Sequence, residues 1–196
     1  LTVLRYICFS KMTTNRFHIS IVVGTRPEAI KLAPVILALL SNKSIKVRVL
    51  LSGQHSMMVR QVMELFELEE DKNLNLMKNN QSINYITQKV LDGMRREFLE
   101  NMPALVFVQG DTSTAFAASL AAFYEKIPVA HVEAGLRTGK LSDPYPEEAN
   151  RRLISQISTL HFAPTELARN NLINAGIKEN VSVTGNTIID ALQMVS

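Results

Sequence analysis

The chain has 196 residues, of which 46% are hydrophobic and 20% are charged. These proportions are typical of a globular α/β domain and exclude collagen, coiled coils and mostly disordered chains. Its 21 Lys and Arg against 18 Asp and Glu give a formal net charge of +3. Because the basic residues form no long run, the charge does not indicate a nucleic-acid surface.

Cys8 is the only cysteine, so the sequence predicts no intramolecular disulfide, and we expect a cytoplasmic setting. The first 20 residues contain an apolar stretch broken by Arg5 and followed by Lys11 and Arg16. Such a stretch fits neither a signal peptide nor a membrane span. We therefore assign residues 1–17 to an N-terminal arm that need not be native.

From Phe17 onward, short β-branched runs alternate with longer helical patterns. This order predicts a parallel sheet with helices on both faces, which is a Rossmann-like three-layer α/β domain. The predicted strands are 18–23, 46–51, 73–77, 105–109, 128–132, 160–163 and 181–184. The first predicted helix begins at Pro27, and proline is compatible with the first turn of a helix. The other predicted helices cover 57–68, 83–99, 114–124, 147–158, 165–175 and the residues from 187.

Residues 18–190 should form this domain. The chain ends at Ser196, a few residues into an apolar helix that lacks the Gly or Pro of a helix stop. We expect residues 191–196 to begin a connection to a second domain.

Ligands of an open parallel sheet bind beyond the carboxyl ends of its strands. Five chemically rich segments follow predicted strands: Gly24-Thr25-Arg26, Gly53-Gln54-His55, Gly110-Asp111-Thr112, residues 131–135 and Gly185-Asn186. A glycine after a strand often marks only a tight turn. Five such segments on one edge favour a binding site.

The first of these segments places Arg26 at the start of a helix, with Lys31 one turn later. A helix N-terminus with basic side chains suits a phosphate or diphosphate, although Arg26 can equally be a surface residue that caps or pairs. The Walker and Gly-x-Gly-x-x-Gly spacings are absent, which disfavours P-loop hydrolases and nicotinamide-dependent dehydrogenases.

Carboxylates also follow the strands. Asp111 and Glu133 each follow a buried strand, and Glu147 with Glu148 opens a helix after a long loop. Acids at helix starts are commonly only partners of the helix dipole, which explains Glu147 and Glu148 better than Glu133. Carboxylates that share a cleft can differ in pKa, so that one acts as base and another as acid without a cofactor.

The histidines show no metal-ligand spacing, so no metal site is predicted. His131 and His161 lie within strands and are interpreted as buried structural residues. His55 lies in a polar loop and is more open to a ligand role. A Gly-x-Ser-x-Gly elbow is absent from the sequence, and Cys8 in the arm is not expected to be catalytic.

Six ordered motifs between about Ile19 and Leu192 resemble the non-hydrolysing UDP-N-acetylglucosamine 2-epimerases of bacteria. They are Gly24-Thr25-Arg26-Pro27-Glu28-Ala29-Ile30-Lys31, Gly53-Gln54-His55, Gly110-Asp111-Thr112, His131-Val132-Glu133-Ala134-Gly135-Leu136-Arg137-Thr138, Pro146-Glu147-Glu148-x-Asn150-Arg151 and Thr184-Gly185-Asn186-Thr187-x-Ile189-Asp190.

The resemblance implies a glycosyltransferase-B-like fold of two Rossmann-like halves, of which this chain is the first. It further implies interconversion of UDP-N-acetylglucosamine and UDP-N-acetylmannosamine by elimination and re-addition of UDP, with no cofactor and no metal. The implied partners are the missing C-terminal epimerase domain, which contributes uridine contacts and a catalytic histidine, and a second copy in a homodimer. No nucleic acid or membrane is implied, and the product usually feeds surface-glycan synthesis.

By the same resemblance, the catalytic carboxylates are Asp111, Glu133 and Glu147. The implied substrate-binding residues are Arg26 and Lys31, near the diphosphate, with Thr25 and Arg137. Gln54, His55 and Gln81 match positions where some members bind a second UDP-N-acetylglucosamine as a regulator. Met57 and Asn80 depart from the residues that those members often carry.

Three alternatives stay open at this point. A hydrolysing relative would release UDP and free N-acetylmannosamine, and a non-catalytic module would bind the nucleotide sugar without exchanging its C2 proton. A glycosyltransferase is the alternative at the level of the fold alone. If the chain is a truncated form or a split gene product, it should fold but have little or no epimerase activity by itself.

Overall fold

The computed structural model describes residues 17–53, 56–76 and 81–196. Seven parallel strands form one sheet in the order β3-β2-β1-β4-β5-β6-β7. The strands are β1 Phe17–Val23, β2 Ile45–Leu51, β3 Lys72–Asn73, β4 Leu105–Gln109, β5 Val129–Val132, β6 Leu160–Ala163 and β7 Val181–Val183. The helices in the described ranges are α1 Arg26–Leu40, α2 Ser56–Leu65, α3 Ile83–Glu100, α4 Ser113–Tyr124, α5 Glu147–Ile157, α6 Glu166–Asn174 and α7 Ile188–Val195.

Helices cover both faces of the sheet, and each face has its own apolar core. Side chains from α1, α2 and α7 pack on one face with Ile19 and Ile21 of β1. Side chains from α3, α4 and α5 pack on the other face with Val22 of β1. Successive residues of a strand point to opposite faces, so β1 contributes to both cores. The predicted three-layer α/β domain with a parallel sheet is confirmed.

Two predicted elements extend too far. The predicted strand 73–77 is paired only over Lys72–Asn73, because Asn75 has a φ of +52° that ends the extended conformation, and residue 77 lies outside the described ranges. The predicted helix 57–68 ends at Leu65. Glu67 is left-handed, and the Leu68 amide donates to the Met63 carbonyl at 2.8 Å, which closes the helix.

The last helix lies against the first core. Helix α7 crosses the predicted domain limit at residue 190, and Ala191 is buried among the apolar side chains of that core.

Among the described residues, no helix is both long and apolar enough to cross a membrane.

At Gly135, in the loop after β5, the backbone lies very close to helix α6. Its φ is +91°, and a Cβ atom built there would lie 2.2 Å from the carbonyl oxygen of Ala168 in α6. Only glycine combines that conformation with that contact. Gly176 has a similar φ of +88°, but its Cβ would meet nothing within 4 Å.

We expect Gly135→Ala to lower the free energy of unfolding by about 3 kcal/mol or more, because the left-handed strain adds to a backbone clash. Gly176→Ala is the matched control and should lose only the strain, about 1 kcal/mol. Urea denaturation followed by circular dichroism measures both. Equal losses in the two variants would contradict this account of Gly135.

Candidate active site

The carboxylate of Glu133, directly after β5, is held by three side chains from different elements. Lys31 Nζ of α1 lies 2.8 Å from Oε1 and 2.7 Å from Oε2. The amide of Gln109, the last residue of β4, donates to Oε2 at 2.5 Å. Asn186, in the loop between β7 and α7, donates to Oε1 at 3.0 Å. Glu133 is therefore an acceptor to three donors, and both of its oxygens are engaged.

The backbone places Glu133 in an unusual conformation. Its φ is +64°, in the left-handed region, which costs a residue with a Cβ about 1–2 kcal/mol. The flanking ladder fixes this turn: the Gly110 amide donates to the Val132 carbonyl, and the Ala134 amide donates to the Phe162 carbonyl, both at 3.0 Å. Backbone strain of this kind clusters at functional sites.

Asp111 lies on the neighbouring loop, after β4. Arg151 of α5 donates to its carboxylate, and the Asn150 side chain donates to its backbone carbonyl at 2.9 Å. Burial raises the pKa of the Asp111 carboxyl above its usual range, and the negative charges of Glu147 and Glu133 act in the same direction. The Arg151 guanidinium opposes them.

Glu147 is the first residue of α5 and is half-buried. Its charge is close enough to act on Asp111, as the charge of Glu133 also does. The structure thus brings the three predicted carboxylates to the same edge of the sheet. Arg151, one helical turn after Glu147, lies between Asp111 and the buried Glu148.

Glu148 has a structural role. Its side chain is fully buried and accepts from the Thr138 amide at 3.0 Å and from Arg152 at 2.7 Å. Burial alone would raise the pKa of the Glu148 carboxyl, but these two donors together with the Arg151 charge hold it below its usual range. Glu148 therefore ties Thr138, in the first half of the long loop, to the first turn of α5.

The predicted substrate-binding residues do not all face the same way. Arg26 is exposed at the start of α1, and Thr25 precedes it with its amide directed to Glu28. Lys31 lies on Glu133, as described above. Arg137 donates to the Leu136 carbonyl at 2.7 Å and to Ser155 Oγ at 3.2 Å, so it is directed toward α5.

Of the three predicted regulatory residues, Gln54 and His55 lie outside the described residues. Gln81 donates from its side-chain amide to the Leu76 carbonyl.

Within the described ranges, no three His, Cys, Asp or Glu side chains are grouped so that they could hold a metal ion.

His131 and His161 are neighbours on β5 and β6 and are buried, with 0% and 2% of their surface exposed. Their predicted structural placement is confirmed. Nε2–H of His131 donates to the Gly110 carbonyl at 2.7 Å, because a carbonyl can only accept. Burial lowers the pKa of His131 to about 3 and the pKa of His161 to about 4. Both rings are therefore neutral at ordinary pH.

Four residues that touch the site are not among the predicted catalytic and substrate-binding residues: Gln109, Asn186, Arg151 and Glu28. Gln109 is a polar residue at the end of an otherwise apolar strand, and Arg151 shares a helix face with Glu147 at a spacing of four residues. Those two patterns are visible in the sequence. The contacts that Asn186 and Glu28 make to distant loops are not.

The fold and the carboxylate-rich sheet edge together indicate the class of protein to which the chain belongs. A lipopolysaccharide outer core galactosyltransferase superposes with a TM-score of 0.64 at 14% identity, which supports a half of a glycosyltransferase-B-like fold and nothing beyond the fold. The sequence profile of UDP-N-acetylglucosamine 2-epimerase matches residues 37–196. The chain belongs to the UDP-N-acetylglucosamine 2-epimerase family.

Two curated relatives show the extent of the match. UDP-N-acetylglucosamine 2-epimerase of Neisseria meningitidis is 54% identical over 174 residues, which are 88% of this chain and 47% of that protein. The enzyme of Salmonella borreze is 51% identical over 172 residues, 87% of this chain and 46% of that protein. The chain spans about half the length of these relatives and corresponds to their N-terminal portion.

Solved structures agree with this assignment. The crystal structure of the Neisseria meningitidis enzyme bound to UDP-GlcNAc matches with a TM-score of 0.87 and 53% identity, covering 90% of this chain and 49% of that chain. A structure from Methanocaldococcus jannaschii in complex with UDP-GlcNAc and UDP matches with a TM-score of 0.85 and 41% identity, covering 90% and 49%.

The neutral buried histidines predict a loss of stability in acid. In the unfolded chain each imidazole has a pKa of about 6.5, well above its folded value. The unfolded state therefore binds the protons first, and the stability present above pH 6.5 is lost as the pH falls toward 4. Between pH 7 and pH 5, each histidine should cost about 2 kcal/mol of unfolding free energy.

The test compares urea denaturation at pH 7 and pH 5 for the unchanged chain and for His161→Gln. We expect the variant to lose about 2 kcal/mol less between the two pH values, because glutamine has no proton to bind. Carboxylate titrations are common to both proteins and cancel in this comparison. An identical pH dependence would show that His161 is not buried in its neutral form.

Proposed function

We propose that this chain is the N-terminal half of an enzyme that interconverts UDP-N-acetylglucosamine and UDP-N-acetylmannosamine. The observation that carries the proposal is the set of three carboxylates, Asp111, Glu133 and Glu147, at one sheet edge in a member of this family. Relatives that match it are named for this activity, and one of them is bound to UDP-GlcNAc.

The proposed chemistry needs a base and a stabilised leaving group. The C2 proton of an N-acetyl sugar is weakly acidic, so a base must remove it while the C1–O bond to UDP breaks and the electron pair of that bond leaves with UDP. UDP then adds back to C1 of the resulting 2-acetamidoglucal, and a proton returns to the opposite face of C2. General acid–base groups and fixed positive charge stabilise such steps.

The contacts suggest how the carboxylates divide this work. Glu133 accepts from three donors, so it is suited to hold Lys31, Gln109 and Asn186 in place around the sugar. The raised pKa of Asp111 brings it closer to the pH at which a carboxyl exchanges protons efficiently. We assign proton transfer to Asp111 with Glu147, and contact with the diphosphate to Arg26, Thr25 and Lys31, with Arg137 as a further substrate-binding residue.

The remaining parts of the proposal concern partners. We infer that residues 18–190 form the N-terminal domain, that residues 191–196 lead toward a second domain, and that the second domain completes the uridine site. A homodimer is supported by exposed apolar side chains at the end of α4, Phe123 and Tyr124, which a second copy could cover. We place the reaction in the cytoplasm, ahead of surface-polysaccharide assembly, and Gln54, His55 and Gln81 at a regulatory nucleotide-sugar site.

The activity is tested by joining this chain to the second half of the Neisseria meningitidis relative and incubating it with UDP-N-acetylglucosamine in D2O. Proton NMR should show UDP-N-acetylmannosamine with deuterium at C2, and the chain alone should show little or none. Asp111→Asn should lower the rate about 10²- to 10⁴-fold, the range for loss of a general acid or base.

Asp92→Asn is the matched control, because Asp92 lies on α3 in a surface pair with Arg96, at 50% exposure. It should leave the rate unchanged. Free N-acetylmannosamine among the products would favour the hydrolysing alternative. Binding without deuterium at C2 would favour a non-catalytic module and contradict the proposed enzyme.

Nucleotide binding can be tested on the chain itself by calorimetric titration with UDP. Arg26→Gln should weaken binding about tenfold or more, since a charge-assisted hydrogen bond contributes about 1.5–3 kcal/mol. Arg169→Gln, on the exposed face of α6 beside Glu166, should not change the affinity. If the two variants bind UDP equally, Arg26 does not contact the diphosphate.

A further inference from the structure

A further buried carboxylate lies beneath the site. Glu28, in the first turn of α1, is 2% exposed. Its Oε2 accepts from the Gly24 amide at 2.7 Å and from the Thr25 amide at 2.5 Å. Its Oε1 accepts from the hydroxyl of Thr112, 84 residues away, at 2.5 Å. Glu28 therefore joins the loop after β1 to the loop after β4.

The direction of the hydrogen bond between Thr112 and Glu28 follows from the single proton of the Thr112 hydroxyl. Thr112 caps α4, and its Oγ1 accepts from the Ala115 amide at 3.0 Å. The hydroxyl has a single proton, and that proton points to Glu28. One carboxylate therefore ties the N-termini of α1 and α4 together, and all of its known partners are donors.

Capping of α1 alone does not require this arrangement. A glutamate at the third helical position caps by returning to the amides just before the helix, which here engages only Oε2. The other oxygen serves a different loop. The loop after β1 also packs directly against the first turn of α4, because a Cβ on Gly24 would lie 2.7 Å from Cβ of Thr114. Glu28 is enclosed at this junction.

We propose that Glu28 is a positioning residue that holds the Asp111 loop in a fixed place relative to the Thr25–Arg26 loop. This inference rests on the proposed function, in which Asp111 transfers a proton and Arg26 contacts the diphosphate. Arg26 directly follows Thr25, and Asp111 directly precedes Thr112, and Glu28 binds both threonines. Small displacements of reacting groups can reduce a rate about 10²-fold, so a rigid link between these loops matters for turnover.

Glu28→Gln tests the link with almost no change in shape. An amide oxygen can still accept from the amides of Gly24 and Thr25, but the amide nitrogen then faces Thr112 as a donor, and the threonine proton loses its acceptor. Glu97→Gln is the matched control: Glu97 is also buried, at 3% exposure, and accepts from Arg48 at 2.7 Å, on a helix that does not carry the site.

The first measurement is the amide NMR spectrum of the 196-residue chain. Glu28→Gln should shift the resonances of residues 111–113 together with those of residues 24–26, and Glu97→Gln should shift neither set. If Glu28→Gln shifts only residues 24–26, the glutamate is merely a cap for α1 and the proposal is overturned. This readout needs neither ligand nor turnover.

The second measurement is kinetic, in the joined enzyme described above. Glu28→Gln should lower kcat about 10²-fold with a much smaller change in KM, the signature of misplaced catalytic groups. A loss no larger than that of Glu97→Gln would refute a positioning role. If the unchanged enzyme is inactive, the proposed function fails, while the NMR comparison still decides whether Glu28 couples the loops.

Should Glu28→Gln not fold, Thr112→Val removes the same bond from the other side. Thr112→Ser retains the hydroxyl and should restore both the resonances and kcat. The same loss in Thr112→Val and Thr112→Ser would contradict the proposal, because the serine variant keeps the hydrogen bond to Glu28.

Discussion

The ion pair between Lys31 and Glu133 is the interaction on which the arrangement of the site depends. It joins the first helix to the loop after the fifth strand, across 102 residues of chain, and both oxygens of the carboxylate lie within 2.8 Å of the ammonium. A half-buried charge is tolerated only when it is paired and hydrogen-bonded. The additional donors Gln109 and Asn186 meet that requirement and so fix three strand ends around one carboxylate.

The same requirement explains the surrounding residues. Every carboxylate near this edge that is largely buried is matched with donors: Asp111 with Arg151, Glu148 with Arg152 and Thr138, and Glu28 with two backbone amides and Thr112. The two histidines beneath the sheet edge are neutral instead, because burial lowers their pKa values. The buried carboxylates of the site are thus satisfied acceptors, and loss of their donors would leave a buried charge unpaired.

Much of the fold could be predicted from local patterns. The four apolar residues of β4 and Gln109 at its end are all buried, as a central parallel strand requires, and the predicted range 105–109 agrees with the structure. The ends of elements were less predictable. Leu68 continues the apolar pattern of α2, yet its amide closes the helix. Asn75 leaves the extended conformation two residues after β3. Such endings depend on single backbone conformations, which periodicity does not specify.

The sequence by itself determined the order of strands and helices, the loops that carry reactive side chains and the likeness to one family, because these follow from periodicity and from short motifs. Tertiary structure decided which residues face one another. Lys31, which the motif places near a diphosphate, also pairs with Glu133, and Glu28, a residue of the same motif, joins two loops. These contacts connect residues 84 and 102 positions apart. Only the packing of the sheet with its helices brings such distant residues within hydrogen-bonding distance.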